Sequence, residues 1–259
     1  MILRRVIQHV RKQEWTAIWI DLVIVVVGVF IGIQVANWNA ANADRKIADK
    51  YLADIAADIR TDINELAHTM DSAMVRIGAS AYILREAGIS GLAPDMELIQ
   101  SGDTGAFSGF ERIAIPDVEA PPAARRNRLW SLTTRTYMYD PNRSAYDALV
   151  SSGKIELIGD PRVMRALREY YYLVNALSAS QMRTLSPMRQ QIIEAGIAQG
   201  YSLSGVVDEA TLIERVRSDR AFAATVATSR ELASVHLLLC AALDKKAHEL
   251  LPLLEGEKP

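Results

Sequence analysis

The chain has 259 residues, with 29 lysines and arginines against 31 aspartates and glutamates, and half of its residues are apolar. A formal net charge of −2 offers no basic surface for nucleic acid, and a single cysteine, Cys240, excludes an intrachain disulfide or a zinc site built from several thiolates of one chain. The length is sufficient for one sizeable domain, or two small ones, with a packed core.

Residues 1–14 form a short basic tail carrying Arg4, Arg5, Arg11 and Lys12. Residues 15–38, WTAIWIDLVIVVVGVFIGIQVANW, then predict a transmembrane helix. As a helix this stretch spans about 36 Å, enough to cross a hydrocarbon core of roughly 30 Å. Trp15 and Trp19 at one end and Trp38 at the other are amphipathic rings suited to headgroup level, and Leu22 to Ile33 contains no polar side chain.

Two features distinguish this helix from an inert plug. Asp21 stands about 9 Å inside Trp15 along the axis, and Gly28 and Gly32 form a GxxxG pair. At 100° per residue Asp21, Gly28, Gly32 and Asn39 lie within about 20° of one line, whereas Gln34 points elsewhere. Two readings of the stripe stand. In one it packs against a second transmembrane helix, its own copy or another protein's; in the other Asp21 reaches the interface and the glycines are incidental.

Orientation rests on the basic residues at each end: four before the helix, and Arg45, Lys46 and Lys50 after it. A short basic tail before an apolar run fits a signal-anchor with its N-terminus in the cytoplasm and the following domain exported. Ala41-Asn42-Ala43 has the small-x-small form of a cleavage site, so cleavage and the opposite orientation remain alternatives. From Asp44 onward 25 basic residues face 29 acidic ones, a mildly acidic domain.

Residues 39–259 are expected to form one helical extramembrane domain. Ile47, Tyr51, Ile55, Ile59, Ile63, Leu66, Met70, Met74 and Ile77 recur at a mean step of 3.75, and no Gly or Pro separates Trp38 from Met74. The anchor therefore runs on as one rod, with at most a bend near Asn37 to Asn42, and Gly78 to Gly91 weakens and ends it. Asp54, Asp58 and Asp62 form an acidic row at i, i+4 spacing, read as a solvated face in preference to a cation site.

A short helix at Asp95 to Gln100 and a Gly/Pro-rich connection near 101–123 follow, and this is where a ligand or partner surface is expected. Arg125, Arg126 and Arg128 beside Trp130 either grip an anionic partner or headgroup or form a solvated helix start. Ser144 to Ser151 predicts a short helix with Tyr146, Leu149 and Val150 inward and Gly153 as its left-handed cap. Ile155, Leu157 and Ile158 form an extended stretch or tight turn. Asp160-Pro161 opens a second long helix that runs to about Ile197 on Val163, Leu167, Tyr170 or Tyr171, Val174, Leu177 and Met182, kinked or divided near Ser186 by Pro187.

Gly196, Gly200 and Gly205 mark turns, and Asp208 to Val216 is a short capped helix. A third long helix, about Asp219 to Leu254, presents Phe222, Val226, Leu232, Val235, Leu239, Ala242, Leu243 and Leu250 to a core. The fold class is all-α: a transmembrane helix continuing into a long helix, followed by an antiparallel helical bundle.

Catalytic signatures are weak. His236, Cys240, Asp244 and His248 step by four along the last helix, but they spread over about 12 Å, so two neighbours at most reach one ion. His68 is the remaining histidine beyond the anchor, and no metal or cofactor is assigned. Ser151-Ser152-Gly153-Lys154 has an SxxK form at a helix end instead of a helix start, with neither S-D-N nor K-T-G elsewhere. The chain contains no G-x-S-x-G, Walker A or Rossmann fingerprint.

The acidic residue early in the apolar run, followed by Gly28-Val29-Phe30-Ile31-Gly32-Ile33-Gln34-Val35-Ala36-Asn37-Trp38-Asn39 and a long helix, resembles a family of uncharacterised bacterial single-pass membrane proteins carrying a domain of unknown function. Tyr146-Asp147-Ala148-Leu149-Val150-Ser151-Ser152-Gly153-Lys154-Ile155-Glu156-Leu157-Ile158 is similar to the same family. Members often have Glu where this chain has Asp21. The resemblance implies a Gram-negative inner-membrane protein, and it supplies no catalytic residue.

The function expected is that of a non-enzymatic, membrane-anchored helical interaction or scaffold module exposed to the periplasm. Its expected partners are the lipid bilayer and a membrane protein met through the transmembrane helix. The alternative is a ligand-sensing periplasmic domain coupled to a partner through that helix.

Overall fold

The computed structural model of the protein describes residues 15–90 and 118–256. The basic tail, the expected helix at Asp95–Gln100 and the run from Ser101 through Pro116 lie outside the described residues, as do the side chains of residues 15–18 and of Asp21.

Helix α1, Trp15–Glu86, is continuous over 72 residues, or about 108 Å. It contains no proline, and of its three glycines Gly78 is there for packing: a Cβ at that position would stand 2.6 Å from the Glu119 carbonyl oxygen. Gly78 thus admits the returning chain against the helix and does not weaken it. The helix ends at Gly88, whose φ of 72° is left-handed, and the amides of Gly88 and Ile89 bond back to the carbonyls of Arg85 and Leu84 at 3.0 and 2.9 Å. Those bonds satisfy carbonyls that the helix end would leave bare.

After the connection a 3-10 turn, Ala123–Arg128, runs into α2, Leu129–Thr134. Helix α3, Ser144–Ser151, ends at Gly153 with φ 70°, as the sequence predicts, and Ile155 and Leu157 fall in a 3-10 turn, Lys154–Leu157. Helix α4, Pro161–Ser180, starts where the Asp160 carboxylate accepts the Arg162 amide at 2.8 Å. The break before Pro187 comes earlier than expected. A π-helical turn, Gln181–Leu185, separates α4 from α5, Ser186–Ala198, placing a widened turn ahead of the residue that lacks an amide proton.

Helix α6, Glu209–Ser218, is capped by Asp208 through the Thr211 amide, and α7, Arg220–Leu254, by Asp219 through the amides of Ala221 and Phe222. Among the described residues there is no strand, and α2 to α7 form a helical bundle packed on the distal part of α1. Helix α7 runs antiparallel to both α1 and α4. Arg60 of α1 pairs with Glu255 just past the end of α7, while Glu169 and Gln181 meet Lys246 and His236 in descending order.

Among the described residues the bundle has two large apolar cores and a small third cluster of Ala73, Ile77, Ala233 and Leu237. The one nearer the anchor joins Ile55, Ile59 and Leu66 to Leu149, Leu167, Val174, Leu177, Leu243 and Leu250. The distal one surrounds Trp130 with Ile83, Ile192, Leu212, Val216, Phe222 and Val226. Each fully buried leucine or isoleucine contributes about 1.5–3 kcal/mol by leaving water. Gly196 belongs to this core: a Cβ there would come within 1.9 Å of the Trp130 ring, so glycine is what lets the indole lie on α5.

Both Tyr170 and Tyr171 are buried, so the choice between them predicted from periodicity is resolved as both. Three expected core residues face out. Val150 is 44% exposed, Met182 76% and Val235 37%. Met182 sits in the π-helical turn, whose extra residue shifts the register, and Val150 gives its inward place to Tyr146, stacked on Tyr171 with centroids 3.7 Å apart. Val235 stands between Ser234 and His236, both buried, so the covered face of α7 passes to either side of it.

Candidate functional site

Three regions have properties that core packing alone does not explain. The first is the proximal part of α1. From Trp19 to Val35 every large apolar side chain described is about half exposed or more, and Trp38 is 68% exposed. Among the described residues nothing beyond the helix's own neighbouring backbone lies within 4 Å of a Cβ placed on Gly28 or Gly32, so that edge of the expected stripe is open, and Asn39 is exposed as well. The apolar window here has mean hydropathy 1.9 and no burial. Helix α7 has a window of mean hydropathy 1.3, also long and apolar enough to cross a membrane, but 67% of it is buried against the bundle. Hydropathy alone does not separate the two helices, and the partners do.

The second region is a polar seam where α1 meets the bundle. The covered face of α1 is Ile55, Ile59, Asp62, Leu66, Thr69, Ala73, Arg76, Ser80 and Ile83, all buried, stepping four and three residues in alternation. That is a heptad seam, and four of its positions are polar. Asp62 is not on a solvated face. Its Oδ1 accepts the Asn142 amide at 2.9 Å and its Oδ2 the Tyr170 hydroxyl at 2.7 Å. One turn back, half-buried Asp58 accepts the Ala145 amide at 3.1 Å, while Asp54 stays exposed. Two members of the acidic row thus fasten the chain entering α3, Asp58 by accepting an amide of its first turn and Asp62 by accepting the Asn142 amide just before it. Burial raises the Asp62 carboxyl above its ordinary range, and the two hydrogen bonds only partly offset that.

Further along the seam, Gln181 from the π-helical turn pairs with the Tyr139 backbone as a second strand would. Its Nε2 donates to the carbonyl at 2.8 Å and its Oε1 accepts the amide at 2.9 Å. His236 Nε2 stands 3.0 Å from the same Oε1 and therefore carries the proton it donates. Burial first, and the nearby Arg76 charge second, push the His236 imidazole down to about 4. Cys240 is buried one turn on and its thiol is pushed up by burial, while His248 is exposed and bonds the Asp244 carbonyl at 2.9 Å. The four residues that resembled a metal set by spacing thus divide between core and surface. Among the described residues no three His, Cys, Asp or Glu side chains converge.

The third region is a cleft of about 650 Å³ lined by Arg125, Arg128, Arg135 and Arg189, with Ser131, Thr134, Thr136 and Leu132 among the other walls. Arg189 Nε donates to the Thr134 carbonyl at 3.3 Å, which fixes where its guanidinium lies. Behind the wall Arg76, 2% exposed, donates from Nη1 to Thr136 Oγ1 at 3.0 Å, and its Nε and Nη2 have no hydrogen-bond partner among the described residues. Burial, with Arg189 nearby, lowers the Arg76 guanidinium to about 10.

Of the arginine triplet noted in the sequence, Arg125 and Arg128 line this cleft and Arg126 does not. Arg126 lies over the Tyr82 ring at 4.5 Å and pairs with Glu209 at 3.7 Å, a structural brace. Arg76, Arg135, Arg189 and Gln181 escape sequence reasoning because they are scattered over elements that only the fold brings together. Ser151 and Lys154, the SxxK pair, do not form a site: Ser151 bonds the Ala148 carbonyl and Lys154 lies over the Tyr51 ring.

No known protein family, no curated protein and no solved structure matches the chain.

Proposed function

We propose that this protein is a non-enzymatic helical interaction module held in a Gram-negative inner membrane by the first part of α1, with residues 1–14 in the cytoplasm and the bundle in the periplasm. The observation that carries the reading is the uncovered apolar surface from Trp19 to Val35 on a helix that continues without a break into the bundle core. In water such a surface is far beyond the apolar patch a monomer tolerates, whereas in a bilayer it is solvated on all sides. The resemblance of the anchor motif to single-pass membrane proteins and the basic tail support the orientation.

Partners in this reading are the lipid bilayer and a second membrane protein, met along Asp21, Gly28, Gly32 and Asn39, where two glycines allow close backbone approach. Self-association in the membrane that Gly28→Ile leaves unchanged would remove the homodimer version. The reading assigns no catalysis, cofactor or metal. Asp62, His236 and Cys240, whose titration burial displaces, are closed off from solvent within the bundle.

A periplasm-active reporter fused at Pro259, with the mass of the membrane-bound product, tests the proposal. Activity on an intact chain agrees with it. An inactive reporter places the bundle in the cytoplasm, and a product beginning at Asp44 makes the first part of α1 a removed signal.

A second reading, a ligand-sensing domain coupled through the anchor, is favoured by one specific observation, the arginine-lined cleft at the distal end of the bundle.

A further inference from the structure

We infer that the cleft bounded by Arg125, Arg128, Arg135 and Arg189 binds a small soluble oxyanion carrying at least two negative charges, a phosphate ester or a polycarboxylate. The inference rests on the ligand-sensing reading and names the chemistry of its ligand; it does not depend on which membrane holds the chain.

Four guanidiniums from three separate places, the 3-10 turn before α2, the segment after it and α5, line one cavity that, among the described residues, no carboxylate lines. Among the described residues none of the four has a carboxylate partner within 4 Å; the charged pairs of this region, such as Arg126 with Glu209, are formed by other arginines. Asp71 and Glu119 line the adjoining cleft, which shares Arg125 and Arg135, and form no ion pair within 4 Å with either. Like charges brought together without a counter-charge repel, and each guanidinium presents paired N–H donors that match a carboxylate or phosphate edge. A cavity of about 650 Å³ is of the size that small ligands occupy.

Arg76 supplies an independent observation. It is almost completely buried, it has no carboxylate partner among the described residues, and two of its nitrogens make no hydrogen bond. A buried charge without a partner is costly, and an anion seated against Thr136, the residue Arg76 holds in the cavity wall, would offset it. Position selects the source of the anion. Arg76 is 38 residues beyond Trp38 on a continuous helix, about 57 Å along the axis, which carries the cleft away from the headgroups of the bilayer that anchors the chain.

The test is calorimetric titration of the full chain in nanodiscs of a zwitterionic lipid, with inorganic pyrophosphate and, in a separate arm, citrate. The expected result is saturable binding of at least one of the two at one site per chain, weakening as salt rises. Arg128→Gln, on an exposed turn, and Arg189→Gln each weaken it at least tenfold, and Arg162→Gln, paired with Asp160 outside the cleft, changes it less than twofold. The stronger arm assigns phosphate or carboxylate chemistry. Variants that retain helical content and melting temperature but bind as the parent chain does overturn the site. Absence of saturable binding to both anions at millimolar concentration also overturns it. In that event stabilisation of the chain by neutral or cationic small molecules would leave the ligand-sensing reading standing without the anion, and no stabilisation by any would remove both. Repeating the titration in nanodiscs containing phosphatidylglycerol separates the sources: unchanged pyrophosphate or citrate binding keeps the soluble ligand, and loss of binding by competition reassigns the cleft to a lipid headgroup.

Discussion

The two parts of α1 invert the usual pattern. In the proximal part valines and isoleucines face outward on every side, from Ile20 to Val35; in the distal part Asp62, Thr69, Ser72, Arg76 and Ser80 face inward and are buried. One helix thus exposes its apolar residues and buries polar ones. The difference shows that burial follows what surrounds each turn and not its hydropathy: in the proposed reading lipid solvates the first part, whereas the bundle covers the second and gives Asp62 and Arg76 hydrogen-bond partners at Asn142, Tyr170 and Thr136. Thermal unfolding and membrane extraction should therefore report on different parts of the same element.

The largest expected effects break the helix into those two parts. Leu66→Ala, at a position with no exposure, should cost about 2–5 kcal/mol of bundle stability in chemical denaturation, whereas Val29→Ala should leave it unchanged. Val26→Arg should act the other way. It should impose about 2.5–3.5 kcal/mol on insertion, read as loss from the membrane fraction, while the bundle melts at its parental temperature. Equal effects of Leu66→Ala and Val29→Ala on bundle melting would show that the proximal part is packed against protein.

The polar seam adds a pH dependence that the proximal part does not. His236 has its imidazole pushed down to about 4, so the native state binds its proton less readily than the unfolded chain does. Its contribution is fully present above about pH 6.5 and declines as pH falls toward 4, by about 3 kcal/mol in all. Asp62 works in the opposite direction. Its carboxyl is raised, so its contribution is fully present below the unfolded value of 3.8 and is lost as pH rises through the folded value. His236→Gln should flatten the acid loss of stability, and Asp62→Asn should steepen it. Denaturant midpoints between pH 4 and 7 distinguish the two, and parallel shifts in both variants would contradict the assignment.

The smallest effects compare glycines. Gly88→Ala forces a left-handed residue at the end of α1 and should cost about 1 kcal/mol, while Gly28→Ala, in open surface within a helix, should be neutral or slightly favourable to the helix. Helix content and melting temperature in detergent read both.

The elements were largely legible because their ends carry chemistry that acts locally. Asp160-Pro161, Asp208, Asp219 and Gly153 do in the structure what those residue types do wherever a helix starts or stops. The seam was not legible for a reason of the same physical kind. Following apolar residues along α1 gives a step near 3.75 and drifts to Ile63, Met70 and Met74, which are half-buried; the covered line steps by 3.5 through Asp62, Thr69 and Arg76. A search for apolar periodicity passes over a face that carries polar members, and the residues that partner Asp62, Asn142 and Tyr170, lie 80 and 108 positions away. The arginine cleft was half visible, in Arg125 and Arg128. Arg135 and Arg189 join it only because α2 lies on α5, with the Trp130 indole against Gly196.

The most direct test of the two-solvent account is spin-label accessibility along α1 in lipid nanodiscs, on a Cys240→Ala background, comparing oxygen with a water-soluble nickel chelate. With one chain per nanodisc and no partner helix present, the account predicts oxygen access and nickel exclusion at every position from Val23 to Ile33 regardless of face. Beyond Asp44 it predicts a repeat of 3.5 residues, with 55, 59, 62, 66, 69, 73 and 76 closed to both reagents. Nickel access within Val23 to Ile33, or a protected face there with the same repeat, would contradict it.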